Sequence, residues 1–200
     1  LEATLVGRRL VEVDVTDDEI VFEGRAASEV ADALRGAEVV AARRRGKHLW
    51  LELDRRPWPL FHFGMTGGFV IAGTSGLQLA TGPTVSSAWL PRFTKLVLTA
   101  SDGGRIALTN ARRLGRVRLR EQPLQEPPLS ELGFDPLLES PGAAALFDRL
   151  HRRRVTMKGL LLDQSFAAGV GNWIADDVLF AAGIAPQRRA NTLSESEVER

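Results

Sequence analysis

The stretch from Lys158 to Pro186 constrains this chain more than any other. It reads as a short helix, a turn built on Gly169 and Gly171, and a second helix beginning near Asn172. That second helix gathers Trp173, Ile174, Val178 and Leu179 as an apolar face, and it stops at Gly183 with Pro186 just beyond. Glycines ahead of a helix N-terminus let the backbone approach an anion, and the free N–H groups and helix dipole favour a phosphate there. Asn172 adds a side-chain donor at the same place.

Upstream, the pattern changes from helical to extended. Residues 8–24 and 38–120 read mostly as strands, with period-two alternation in Leu10–Val15 and in part of Leu49–Leu53. Ser101-Asp-Gly-Gly104 between two apolar runs is a hairpin signal. A short helix is expected over 28–35, with Ser28 as N-cap and Gly36 as its stop. Several short strands separated by turn residues indicate a β-sandwich. Five of the ten prolines fall between 121 and 141, marking a connecting segment before helical pattern takes over in 142–152 and 158–183. The chain is therefore read as α+β: a sandwich domain over 1–120, a Pro-rich acidic linker over 121–140, and a helical domain over 141–200.

A net charge of +1 gives no hint of a polyanionic partner, but the distribution does. Arg105, Arg112, Arg113, Arg116, Arg118 and Arg120 follow one another with no acidic residue between them, and Arg43–Lys47 and Arg149–Lys158 are further basic stretches. Glu121, Glu126, Glu131, Asp135 and Glu139 form an acidic block with no compensating base. Segregation of this kind suits nucleic-acid binding; a solvated strand face is the competing reading. Cysteine is absent, which excludes a disulfide framework or a thiolate zinc site within these residues. No apolar run approaches the roughly 20 residues of a membrane span, and no cleavable signal opens the chain. The partner expected is nucleic acid and not a membrane, in an intracellular setting.

The 158–186 stretch resembles the helix–two-turn–helix of the formamidopyrimidine-DNA glycosylase and endonuclease VIII family of base-excision repair enzymes. The resemblance extends to Arg-Arg-Arg-Gly-Lys-His-Leu-Trp-Leu-Glu-Leu (43–53), His-Phe-Gly-Met-Thr-Gly (62–67), Asn-Ala-Arg-Arg-Leu-Gly (110–115) and Glu-Leu-Gly-Phe-Asp-Pro-Leu (131–137). Around residues 41–63 and 129–176 it is most similar to the plant and fungal type.

What this resemblance implies can be stated residue by residue. Family members begin with Pro-Glu, the proline amine attacking the sugar C1′ to form a Schiff base while the glutamate acts as general acid. That pair is not in the chain, whose ends (Leu1–Gly7 as the last turn of a helix, Ser194-Glu-Ser-Glu197 as a capping box opening another) suggest a fragment without lyase activity of its own. Lys47 matches a lysine beside the reacting sugar and its phosphate, where a cation stabilises the leaving oxyanion. His48 and His62 are read as structural.

Met65, Arg112 and Leu114 match the three residues that fill the gap left by a flipped base. Leu114 stands where the family's oxidised-purine enzymes have phenylalanine, and Asn110 where they have aspartate. Arg154, Lys158 and Asn172, with the Gly169–Gly171 turn, match phosphate-contacting positions. Gly159 replaces a usual proline and is read as a loosening. Phe93 occupies the place of a DNA-contacting histidine, for which Lys95 is a candidate substitute. The implied activity is a bifunctional DNA glycosylase and AP lyase acting on oxidised purines in damaged double-stranded DNA, as a monomer and with no metal or organic cofactor at the reaction centre. A zinc finger, common beyond the C-terminal end in relatives, is not expected for the plant and fungal type. The alternatives are a non-catalytic relative that binds damaged or branched DNA, and, more remotely, an RNA-binding protein.

Overall fold

The computed structural model describes residues 1–74 and 89–200. The part of the strand-rich expectation that falls on 75–88 lies outside the described residues. Two compact units emerge: Leu1–Arg44 with His48–Glu126, and Pro127–Arg200 together with the three residues Arg45–Lys47.

In the first unit, α1 (Glu2–Leu5) leads into β1 (Arg8–Val15), and α2 (Ala27–Leu34) into β2 (Glu38–Arg45), β3 (His48–Leu53) and β4 (Trp58–His62). Then come β5 (Gly68–Ile71), β6 (Thr94–Ala100), β7 (Arg105–Thr109) and β8 (Arg116–Arg120). Among the described residues the strands form one eight-stranded sheet in the order β5-β7-β6-β1-β2-β3-β4-β8. β1 serves both halves: Arg8 and Arg9 pair with β2, whereas Leu10 to Val15 pair antiparallel with β6 after an irregularity between Leu10 and Glu12. The expected sandwich is thus one sheet that turns over through β1.

Its inner faces share a core, with Leu51, Leu53 and Phe61 from one half and Leu96, Leu98 and Ile106 from the other. Period two decides who enters. In β8, Val117 and Leu119 are buried while Arg116, Arg118 and Arg120 alternate with them on the outer side. α2 seals the core with Val30, Ala31 and Leu34. Its N-cap is Ala26, with no side-chain bond, so Ser28 lies inside the first turn and does not cap it. The stop at Gly36 is as expected, with φ +76° and its N–H donated to the Leu10 carbonyl at 2.7 Å.

The second unit holds α3 (Ala143–His151), α4 (Met157–Leu162), α5 (Asn172–Ala182) and α6 (Glu195–Glu199) around Leu150, Met157, Leu160, Phe166, Val170 and Leu179. α6 opens on a complete capping box between Ser194 and Glu197. α5 begins at Asn172 and ends at Gly183 in the left-handed conformation, as its sequence indicates. Its buried face differs from the expected one. Ala175, Leu179 and Ala182 face inward, while Trp173 (76% exposed), Ile174, Val178 and Phe180 (90%) remain outside. α5 is a neighbour of α4, and two of its three buried positions hold alanine while bulkier apolar residues stay on the outer side.

Candidate nucleic-acid interface

Two clusters gather most of the residues singled out by sequence, one in each unit. In the first unit, the β4–β5 loop carries Met65 and the β7–β8 loop carries Arg112 and Leu114. All three side chains are exposed, Met65 by 75%, and an Arg112 Nη1 lies 3.7 Å from the Met65 sulfur. The loops touch through their backbones. A methyl group on Gly64, itself at φ +66°, would sit 2.7 Å from the Leu114 carbonyl carbon.

Beneath the tips the loops are joined by Asn110, only 1% exposed. Its Nδ2 donates to the Phe63 carbonyl and its Oδ1 accepts from the Gly115 N–H, both at 3.2 Å. Gly67 and Gly115 leave the space it occupies, since a Cβ on either would lie within 2.4 Å of Nδ2. The first bond ties the β7–β8 loop to the β4–β5 loop, and the second closes the β7–β8 loop on itself.

A second anchor is Asp18, a buried carboxylate. It accepts from Arg113 Nη2 (2.9 Å) and Nε (3.0 Å to the second oxygen), from the Ile20 and Val21 N–H groups (3.1 Å each), and pairs with the Lys95 ammonium at 2.7 Å. Burial alone would raise its pKa, but the Arg113 and Lys95 bonds and the Val21 N–H together hold it well below the carboxylate range. Arg113 sits at φ 54°, so the loop turns sharply between Arg112 and Leu114 while its own side chain is fastened inward. Lys95, suggested above as a DNA-contacting substitute near Phe93, is instead committed to this ion pair.

The arginine run also changes meaning. Arg118 binds Glu23 through both Nε (2.9 Å) and Nη2 (2.5 Å), Arg116 approaches the same carboxylate at 3.8 Å, and Arg120 approaches Glu126 at 3.7 Å. Arg105 stacks over Trp89. Much of the charge segregated along the sequence is thus paired in space. Arg112 stands apart, with no ion pair among the described residues. His48 and His62 face each other across β3 and β4 with ring centroids 5.0 Å apart.

The second unit builds its cluster from backbone. Lys47 extends its amine to the Val170 carbonyl at 2.9 Å, and Gly171 approaches the same side chain. Burial of that amine lowers its pKa below the usual lysine range. Gln164 completes the turn: its Nε2 also donates to the Val170 carbonyl at 2.9 Å, and its Oε1 accepts from the Gly169 N–H at 3.1 Å. Gly46 (φ +57°) and Gly169 (φ +95°) pack backbone to backbone; a Cβ on Gly169 would lie 3.2 Å from Gly46 Cα. Asp135, 1% exposed, accepts from the Gly46 N–H at 2.7 Å.

After this turn α5 begins, its N-cap Gly171 offering no side-chain acceptor to the N–H groups of the first turn. Lys158 is paired with Asp176 at 2.8 Å, an occupant the sequence reading did not anticipate. The Arg154 guanidinium is exposed and has no ion pair among the described residues, while its carbonyl accepts from Arg189 Nη1 at 2.7 Å. Gly159 is not a loosening. Its N–H donates to the Thr156 hydroxyl at 3.3 Å, the cap of α4, a bond that a proline at 159 could not make.

Sequence reasoning missed Asp18, Gln164 and Asp176. A polar residue whose partner lies far along the chain carries no local signal; Gln164, five residues before Gly169, is the one a turn-by-turn reading could have found.

With the geometry in place, comparisons with known proteins are informative. Residues 1–117 match the family model described as the formamidopyrimidine-DNA glycosylase N-terminal domain, and residues 132–200 match that of the formamidopyrimidine-DNA glycosylase H2TH domain. A formamidopyrimidine-DNA glycosylase of Arabidopsis thaliana is 37% identical over the whole chain, which covers 51% of that protein. One from Desulfitobacterium hafniense is 39% identical over 89% of the chain, covering 61% of that protein. The chain thus spans about half to three fifths of the length of these relatives. Among solved structures, the Lactococcus lactis enzyme in complex with DNA containing an abasic site superposes with a TM-score of 0.81 at 24% identity, covering 99% of this chain and 68% of that one. That likeness establishes the fold.

Proposed function

This chain belongs to the formamidopyrimidine-DNA glycosylase family, and from that premise we propose that it serves base-excision repair, in a DNA glycosylase with AP lyase activity that removes oxidised purines from duplex DNA. The observation that carries the reading is the convergence of Met65, Arg112 and Leu114, exposed at loop tips and fastened from below by Asn110 and Asp18. An apolar wedge that projects from a rigid base can enter the stack when a base is flipped out, offsetting an unstacking cost of a few kcal/mol.

In this reading Met65 slides into the vacated space and the Arg112 fork meets the orphaned partner base, where it suits the paired acceptors of a cytosine. Leu114 supports the wedge without aromatic stacking, a difference of roughly 1–3 kcal/mol per base. The α5 N-terminus with Asn172, Arg154 and Lys158 holds phosphates, which set register without reading sequence. Lys47 stands as a cation beside the sugar. A partly desolvated ammonium stabilises negative charge on a departing oxygen more strongly than one in open water. The Schiff-base step belongs to an N-terminal proline amine, as in the family, and calls for no metal or organic cofactor. The protein acts as a monomer, within the cell; no described helix is long and apolar enough to cross a membrane.

Borohydride trapping on a duplex carrying 8-oxoguanine opposite cytosine tests the reading, with the product of the complete reading frame and the 200-residue chain side by side. A covalent adduct from the complete product, and none from the shorter chain, is expected. Tight duplex binding with no adduct from either would replace the glycosylase with a non-catalytic DNA-binding relative.

A further inference from the structure

The motif Glu131-Leu-Gly-Phe-Asp-Pro-Leu137 has no part in the chemistry above, yet it supplies one of the two buried carboxylates among the described residues, Asp135. We propose that Asp135 is a positioning residue for Lys47: by holding the N–H of Gly46 it fixes the turn whose next side chain delivers the amine to the Val170 carbonyl.

The geometry is closed on every side. Asp135 Oδ2 accepts from the Gly46 N–H at 2.7 Å, while Oδ1 accepts from the Leu137 N–H at 3.0 Å, so each oxygen has its own donor. Arg45, the other flank of the turn, donates to the Gly133 carbonyl at 3.1 Å and pairs with Glu139. The segment bearing Asp135 is itself laid against the turn before α5. The Gly133 N–H reaches the Gln164 carbonyl at 2.9 Å, the Ala168 N–H reaches the Phe134 carbonyl at 2.8 Å, and the Phe134 and Phe166 rings meet edge to face. A Cβ on Gly133 would fall 2.2 Å from the Phe166 carbonyl oxygen, so only glycine permits the approach. Asp135 and Val170 are thereby tied to one frame, and Lys47 spans it. The charged groups packed about the turn are Arg45, Glu139 and Asp135; Lys47 makes no ion pair among the described residues. Its seat depends on backbone placement, which is what Asp135 controls.

The consequence for catalysis rests on the role proposed for Lys47, but the test does not, because it needs neither DNA nor turnover. The chain has three lysines, Lys47, Lys95 and Lys158, so reductive methylation with 13C-formaldehyde yields three assignable lysine signals. In the unaltered chain Lys47 titrates below the ordinary lysine range. Asp135→Asn converts one accepting oxygen into a donor and cannot serve both N–H groups. The Lys47 midpoint is then expected to rise by about half a pH unit or more as the amine returns to water. The sign is diagnostic, since loss of a nearby negative charge alone would lower that midpoint. Asp163→Asn, which removes a turn-capping carboxylate of the same unit that binds Ser165, should leave Lys47 in place. An unmoved or lowered Lys47 midpoint in Asp135→Asn, or an equal rise in Asp163→Asn, overturns the assignment. Should Asp135→Asn fail to fold, amide exchange in the unaltered chain decides: a protected Gly46 N–H supports the proposal, and exchange at the rate of an open turn refutes it.

Discussion

The two clusters are held in place by opposite means. In the sheet unit the proposed contacts are side chains that reach outward, and buried polar side chains, Asn110 and Asp18, hold their loops from beneath. In the helical unit the proposed contacts are largely backbone N–H groups and one amine, and glycines hold them by letting chain segments touch. A projecting wedge tolerates variation at its tip but little at its anchor. A backbone cradle has no tip to vary, and any added Cβ enters the site itself.

The sharpest break of this contrast is at Asp18. Replacing it with asparagine leaves Lys95 and Arg113 without their carboxylate, and urea unfolding of the sheet unit should show a loss of about 3 kcal/mol. The pH dependence follows from the depressed pKa. The contribution is fully present above about pH 4, where the unfolded carboxyl is ionised, and fades as the pH falls further. The variant should therefore have a flatter acid limb than the parent, and identical limbs would mean that Asp18 anchors nothing.

Asn110→Ala removes the bond that joins the two loops and the one that closes the β7–β8 loop, and should cost about 2 kcal/mol. It should also broaden the amide signals of residues 63–67 and 111–115 while those of the helical unit stay sharp. Equal broadening in both units would dissolve the distinction drawn here. Arg112→Ala leaves stability unchanged but should reduce discrimination for cytosine opposite the lesion by about tenfold, from the ~1–3 kcal/mol of a bidentate base contact. An unchanged opposite-base preference would remove Arg112 from that role.

On the cradle side, Gly46→Ala places a Cβ 3.2 Å from the Gly169 nitrogen at a left-handed backbone position, and a thermal melt should register about 1 kcal/mol. The smallest effect belongs to Asp176→Asn. Freeing Lys158 from an exposed pair should tighten duplex binding about threefold at low salt, the range of such pairs. Weaker binding by this variant would show Asp176 aiding Lys158 and not competing for it.

Legibility from sequence divides along the same line. The α5 boundaries and the Ser101–Gly104 hairpin were readable because glycine states its backbone conformation locally. The outward face of α5 was not, since hydrophobicity names the bulky residues while two of its three buried positions hold alanine. Met65, Arg112 and Leu114 could be named only through resemblance, and no local pattern says that their loops touch. The arginine run misled for a related reason: Glu23 and Asp18, which neutralise Arg118 and Arg113, lie 95 residues away in the chain.

Trp173 follows Asn172 in the first turn of α5 and lies mostly in water, whereas Trp50 is nearly enclosed by the sheet and Trp58 and Trp89 carry arginines on their rings. The cradle therefore contains its own optical probe. Emission selected at the red edge should be dominated by this indole, and iodide, itself an anion, should quench it preferentially. A phosphate ester settling on the neighbouring N–H groups would screen the indole from iodide, so occupancy of the helix end becomes readable by light with no label added.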